Sequence, residues 1–75
     1  MSEDEYIKLV GSNIVARRKQ LGIKQIDLAH KIGIEDSSLR RIESGKTNPT
    51  FKTLYRIALA LEMDLSTLIE IPKSK

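Results

Sequence analysis

The stretch Gln25–Ser44, QIDLAHKIGIEDSSLRRIES, determines how this chain folds. Counted from Gln25, the fifth residue is Ala29 and the ninth is Gly33. A small residue at Ala29 allows a following helix to pass close over it, and glycine tolerates the positive φ of a tight turn. Apolar residues fill the wedge between the two crossing elements: Leu28, Ile32, Ile34, Leu39 and Ile42. The pattern therefore predicts two short helices that cross steeply at Gly33.

The second of these helices has one polar face. Its outward positions have the spacing i, i+1, i+4, i+5, i+8, which one side of a helix presents together. They are Asp36, Ser37, Arg40, Arg41 and Ser44. Two adjacent arginines on an exposed helix face indicate either a solvated surface or a surface that binds an anion.

The rest of the chain also has helical spacing, and no segment alternates as a half-buried strand would. Ser2 and Glu5 predict a capping box for a first helix, whose apolar stripe is Ile7, Val10, Ile14 and Leu21. Thr50 is expected to cap a fourth helix, Phe51 to about Leu61, and Asp64 a fifth, Leu65–Ile71, that stops at Pro72. We predict an all-α fold, a compact bundle of five short helices. We expect one domain over residues 1–75, with a core at about 7–71 and a tail at 72–75.

Composition excludes several classes of function. The chain has no cysteine and one histidine, His30, so disulfides and thiolate metal sites are excluded and no metal or cofactor is expected. There is no Gly-rich phosphate loop and no nucleophile arrangement, so we predict that it is not an enzyme. No apolar run approaches the roughly 20 residues of a membrane span, and no leader opens the chain. A cytoplasmic location without a small-molecule ligand is expected.

Charge is concentrated in the middle of the chain. Residues 17–56 have ten basic and four acidic side chains, a net charge of +6, whereas residues 1–16 and 57–75 have −2 and −1. A basic segment of this kind favours a polyanionic partner.

Residues from about Val10 to Ile69 resemble the Cro/repressor-type, Xre-like helix-turn-helix domain of phage repressors and restriction–modification controller proteins. The residues that carry the resemblance occur in the family order and spacing. They are Arg18, Gly22-Ile23-Lys24-Gln25, Leu28-Ala29, Gly33-Ile34, Ile42-Glu43-Ser44-Gly45-Lys46, Asn48-Pro49, Leu54 and Ile57-Ala58. The resemblance implies a lambda-repressor-like bundle with its helix-turn-helix at residues 25–44. It also implies a transcriptional regulator that binds double-stranded DNA.

The resemblance also implies a role for each matching position. The residues expected to contact base edges from the major groove are Asp36, Ser37, Arg40 and Arg41. The residues expected to contact phosphates are Lys24, Gln25, Ser44, Lys46, Asn48, Thr50 and Phe51. Arg18 and Glu43 match a partly buried ion pair. The chain departs from the family pattern at Lys24 and Glu35, where Ser or Thr usually caps a helix, and at Glu62, which often is glycine.

A dimer is expected because one small module covers only about 4–5 base pairs and binds weakly. The predicted fifth helix has more apolar residues than one inward stripe needs. We predict that part of the following set faces a second subunit: Met63, Leu65, Leu68, Ile69 and Ile71. The alternative is that the helix only closes the core. The expected function is a dimeric repressor or activator on a palindromic operator.

A different class of function stays open. Glu35 and Asp36 place two carboxylates at the start of the presumed DNA-binding helix, where they favour the helix dipole but are unfavourable near phosphates. A protein-interaction module, such as an antitoxin or adaptor, is therefore the alternative function.

Overall fold

Five helices make up the computed structural model, which describes residues 1–72. They are α1 (Glu3–Gln20), α2 (Gln25–Ile32), α3 (Asp36–Glu43), α4 (Phe51–Ala60) and α5 (Leu65–Leu68), with no strand in the described residues. The predicted all-α bundle of five helices is confirmed. Of the expected tail, residues 73–75 lie outside the described residues. No helix within residues 1–72 is long and apolar enough to cross a membrane.

Local signals set most of the helix ends as predicted. The Ser2 hydroxyl accepts from the Glu5 N–H at 3.1 Å, and the Glu5 carboxylate accepts from the Ser2 N–H at 3.0 Å. The bonds to Ser2 hold the pKa of Glu5 below its usual range. Gly33 ends α2 at φ +76°, with open space where a Cβ would lie, so its backbone conformation alone requires glycine. The Thr50 side chain accepts from the Thr53 N–H at the start of α4.

The core lies where α1 and α4 enclose the helix pair α2 and α3. α3 packs against α1 and α2, while α4 packs against α2 and α5. The side chains with essentially no exposure are aliphatic and come from every helix or its immediate C-terminus: Ile14, Leu28, Leu39, Ile57, Leu61 and Leu68. Because α3 buries Leu39 and Ile42 on one side, its other side is left for solvent.

The fifth helix is shorter than predicted. α5 ends at Leu68 rather than Ile71, and the Asp64 side chain makes no capping hydrogen bond. The carbonyls at the end of α5 and just after it accept hydrogen bonds from side chains of α1 instead of from further helical amides. Asn13 Nδ2 donates to the Leu68 and Glu70 oxygens at 2.9 and 3.0 Å, and the Tyr6 hydroxyl donates to the Ile69 oxygen. These long-range bonds satisfy the end of the helix early, which accounts for the wrong boundary.

The same packing corrects the predicted dimer set. Leu68 is fully buried in the core of its own protomer, so it cannot contact a second subunit. Met63, Leu65 and Ile69 are half-buried and pack against that core. Ile71, at 52% exposure, is the member of the set that is largely open to solvent. α5 therefore serves mainly to close the core.

Glu62 adopts a conformation that favours glycine. Its φ is +55°, the one positive value at a non-glycine residue among those described. The turn is held by the Met63 N–H, which donates to the Ala58 oxygen at 3.1 Å. Arg17 Nε donates to the Leu61 oxygen at 3.0 Å and Arg17 Nη2 to the Glu62 oxygen at 3.3 Å. The Arg17 guanidinium thus caps the end of α4, although position 62 is occupied by glutamate rather than glycine.

Gly11 allows α1 to approach the end of α3 closely. A Cβ at this position would lie 2.6 Å from the carbonyl oxygens of Ile42 and Glu43. Such a distance is well inside van der Waals contact, and both neighbours are backbone atoms that cannot rotate away. The glycine that weakens α1 locally is therefore the residue that positions the two helices against each other.

We predict that Gly11→Ala destabilises the fold, because a Cβ 2.6 Å from backbone oxygens is expected to cost about 3 kcal/mol, the upper end of the usual range for overpacking. The gain in helix propensity of about 1 kcal/mol reduces the net loss to about 2 kcal/mol. Urea unfolding followed by circular dichroism measures the change. Ser12→Ala is the matched control, because Ser12 is the exposed next residue of the same helix. A Gly11→Ala protein as stable as this control would contradict the close approach.

Candidate nucleic-acid interface

The exposed side of α3 has a polar and basic surface. Ser37, Ser38, Arg40 and Arg41 are all exposed, and the Arg40 side chain is 62% open to solvent. The buried positions between them, Leu39 and Ile42, fix the rotation of the helix. Both arginines project away from the core, as their spacing predicted. Ser38 shares this surface, although the spacing argument had not included it.

A hydrogen-bonded ion pair fixes the C-terminal end of α3. Arg18 Nε and Nη2 donate to the two Glu43 carboxylate oxygens at 2.9 and 3.1 Å, a bidentate geometry. The two side chains are only 12% and 5% exposed. Arg18 Nη1 also donates to the Ile23 oxygen at 2.9 Å, and Gln25 Nε2 donates to Glu43 Oε1 at 2.8 Å. The expected ion pair is thus present and joins α1, the start of α2 and the end of α3.

Gln25 connects this buried network to the surface. Gln25 is the first residue of α2 and is half-buried, and its side-chain amide nitrogen donates to Glu43. The Gln25 side chain therefore braces the end of α3. Lys24, directly before it, is exposed and makes no side-chain capping bond. An exposed lysine without a capping role is available to bind an anion.

A shallow groove brings several of the candidate residues together. Its lining residues come from α1, α2, α3 and the loop after α3: Val15, Arg18, Lys19, Gln25, Arg40, Glu43, Ser44 and Lys46. Lys19 had not been predicted to belong to the site. No local pattern distinguishes it from other surface lysines, because tertiary packing alone places α1 beside the end of α3.

The loop and the first turn of α4 extend the polar surface. Lys46, Asn48 and Thr50 are exposed, as is Phe51, whose side chain is 73% open. The first amides of a helix have no intrahelical acceptor and, with the helix dipole, favour an anion. Lys52 adds an exposed cation in this first turn. The family pattern had not singled it out, although the α4 start was predicted correctly from Thr50.

The start of α3 differs electrostatically from its end. Glu35 precedes the helix but makes no side-chain capping bond. It therefore does not take over the capping role that Ser or Thr usually has at this position. Asp36 is half-buried, and its Oδ2 lies 3.7 Å from Arg40 Nη2. The helix therefore presents an acidic residue beside its first arginine. Within residues 1–72, no cluster of three His, Cys, Asp or Glu side chains could hold a metal ion.

Residues 14–68 match the model of the Helix-turn-helix family. The chain belongs to this Xre-like helix-turn-helix family. It is 38% identical over 61 residues to the ImmF control region 10 kDa protein of Bacillus phage phi105, covering 81% of this chain and 68% of that protein.

Two solved structures of helix-turn-helix proteins are similar to this fold. One is the restriction-modification controller protein C.AhdI from Aeromonas hydrophila, with a TM-score of 0.79, 25% identity and coverage of 85% of this chain and 96% of that chain. The other is SinR of Bacillus subtilis, the master regulator for biofilm formation, in complex with DNA. Its TM-score is 0.76 and its identity 32%, over 81% of this chain and 98% of that chain.

Family membership confirms the predicted class of fold and activity. The five helices form the lambda-repressor-like fold of helix-turn-helix regulators. Members of this family are transcriptional regulators that bind DNA and are not enzymes. α2 and α3 form the helix-turn-helix pair of this fold.

We predict that Arg18→Met destabilises this helix-turn-helix domain by about 3–5 kcal/mol. The change leaves the nearly buried Glu43 carboxylate without its cation, and an unpaired buried charge is costly. Thermal and urea unfolding measure the loss. Lys19→Met is the control, because it removes a positive charge from the next, exposed position of the same helix. Equal unfolding midpoints for the two variants would contradict the role of the pair.

Proposed function

We propose that this protein reads a specific double-stranded DNA sequence and regulates transcription there, as a repressor or an activator, from a palindromic operator. The observation that supports it is the recognition helix, whose polar side is exposed while its C-terminal end is fixed by the Arg18–Glu43 ion pair. A rigid helix with an outward arginine pair suits the major groove. The proposal places the protein in the cytoplasm, with the DNA that it would bind.

Base contacts are assigned to the outward residues of the recognition helix: Asp36, Ser37, Arg40 and Arg41. Arg41 is the principal one, because a guanidinium can bond guanine O6 and N7 together. Arg41 is exposed and has no ion pair among the described residues, whereas Arg40 lies beside Asp36.

Phosphate contacts are assigned to residues around the recognition helix. Those expected from the family pattern are Lys24, Gln25, Ser44, Lys46, Asn48, Thr50 and Phe51, the last two through the start of α4. Lys19 and Lys52 join this set, since one lines the groove beside α3 and the other lies in the first turn of α4. Cations on both sides of a recognition helix position it without reading sequence.

A homodimer is part of the proposal, because two-fold pairing spaces two recognition helices about 34 Å apart, one turn of duplex. The exposed apolar residues that suit an interface lie mainly on α4. Phe51, Tyr55 and Leu59 have the spacing i, i+4, i+8 and are 73%, 53% and 59% exposed. We call these three residues the α4 stripe. Together with Met63 and Ile71 they replace the α5-centred set.

The charges beside the α4 stripe favour a second copy as its partner. Leu59 lies between Arg56 on one side and the acidic residues Glu62 and Asp64 on the other. If two α4 helices pair antiparallel about a two-fold axis that passes near Leu59, the basic edge of each one faces the acidic turn of its partner. Two-fold interfaces use the same patch on both subunits, so this self-complementarity is what they need.

The alternative function is a protein-interaction module, such as an antitoxin or adaptor. The paired carboxylates Glu35 and Asp36 favour it, because they lie on the side of α3 that would approach DNA. A gel shift with random duplex at low salt separates the two functions. Absence of binding at micromolar protein would favour the adaptor and overturn the DNA-binding proposal.

We predict that Arg41→Ala and Lys46→Ala weaken DNA binding in different ways. Selection of bound sequences from a random duplex pool should give a two-fold symmetric consensus, against which both variants are then tested. Arg41→Ala should cost about 1–3 kcal/mol and relax the preference at one base pair. Lys46→Ala should weaken all sequences alike and make the log–log salt slope shallower by about 1, from near −5 for about six phosphates per dimer. Equal losses on specific and random DNA for both variants would contradict the assigned roles.

We predict that Leu59→Glu makes the protein monomeric at concentrations where the unaltered chain is dimeric. A charge in the α4 stripe would have to lose its hydration in the interface, which is costly. Analytical ultracentrifugation over a dilution series measures the dimer. Ile26→Glu is the matched control, because Ile26 is also 59% exposed but lies on α2. A monomeric control, or a dimeric Leu59→Glu protein, would contradict the assignment of the interface.

A further inference from the structure

An acidic residue and an arginine are paired on the surface that the recognition helix would present to DNA. Asp36 Oδ2 lies 3.7 Å from Arg40 Nη2, one helical turn further along α3. The arginine side chain is 62% exposed and the aspartate side chain 39%. Asp36 Oδ1 is buried and has no hydrogen-bond partner among the described residues. The aspartate therefore directs its available oxygen at the guanidinium.

We propose that Asp36 is a specificity-determining residue, which suppresses binding to non-cognate DNA by holding Arg40 in this intrahelical pair. This proposal rests on the proposed function. While the pair is formed, Asp36 offsets the positive charge of Arg40. Binding of the protein to a phosphate backbone then releases fewer counterions. The carboxylate itself also repels phosphates that approach the start of α3.

A cognate sequence compensates for this repulsion. A carboxylate in the major groove accepts a hydrogen bond from the amino group of cytosine, and an arginine bonds guanine. Only a sequence that places such a base opposite Asp36 provides a hydrogen bond that compensates for the repulsion between the carboxylate and the phosphates. Asp36 thus acts by penalising wrong sequences more than by stabilising the correct one, a common source of discrimination in binding.

The helix dipole alone does not distinguish Asp36 from its neighbour. Glu35 is also acidic and lies at the same helix end, so both carboxylates interact favourably with the dipole. Glu35, however, is exposed, makes no capping bond and has no ion pair among the described residues. A purely structural or net-charge role predicts similar effects for the two residues, whereas the proposal predicts an effect at Asp36 alone.

The test compares Asp36→Asn with Glu35→Gln, which makes the same charge change at the same helix end. Fluorescence anisotropy with a random duplex, from low salt to 300 mM, gives affinity and salt slope. Asp36→Asn should bind random DNA about threefold to tenfold more tightly, the size expected for one exposed charge. Its salt slope should be steeper by about 1, because the freed Arg40 neutralises one more phosphate. Affinity for the selected operator should rise less or fall, so the ratio of specific to random binding decreases.

Further measurements separate the possible explanations. Adding Arg40→Gln to Asp36→Asn should abolish the gain on random DNA, and unfolding midpoints should show that every variant is folded. Equal gains for Asp36→Asn and Glu35→Gln, or a lower unfolding midpoint without any change in salt slope, would overturn the inference. Failure of the unaltered protein to bind any duplex at low salt would instead reject the proposed function itself.

Discussion

The Arg18–Glu43 ion pair is the interaction on which the rest of the structure depends. A buried ion pair is stabilising only when further hydrogen bonds satisfy both ions. Here the guanidinium donates to both carboxylate oxygens and to the Ile23 carbonyl, and Gln25 donates a further bond to Glu43. One set of bonds therefore fixes α1, the start of α2 and the end of α3. α3 consequently has a defined orientation although it is only eight residues long.

α1 organises the remaining helices in the same manner. Gly11 brings its backbone against the end of α3, Arg17 caps the end of α4, and Asn13 caps the end of α5. These contacts join segments that are far apart in sequence. They also use polar side chains, which suits a chain whose core is too small to orient five helices by apolar packing alone. The orientation of α3 is thus set largely by contacts with α1.

The sequence predicted those structural features that depend on residues close together along the chain. The Ser2–Glu5 capping box, the turn at Gly33 and the cap at Thr50 each need only a few neighbouring residues, and the structure has all three. The predicted end of α5 was wrong because the Leu68 and Glu70 carbonyls accept hydrogen bonds from Asn13 of α1, which lies 55 and 57 positions earlier. Lys19 was missed for the same reason, since a groove made by three helices and a loop places it. Arg40 and Arg41 were predicted correctly as outward residues because helical periodicity is local.

The charged side chains of α3 are largely paired. α3 contains Asp36, Glu43, Arg40 and Arg41, so its own net charge is zero. Glu43 is neutralised by Arg18 and Asp36 lies beside Arg40, which leaves Arg41 as the cation of α3 without an ion pair among the described residues. In the proposed complex, the positive charge that would attract a phosphate backbone comes instead from flanking lysines on α1, the loop and α4. A nearly neutral helix would add little to non-specific attraction, so under this proposal the energy that α3 contributes would depend on the bases that it meets.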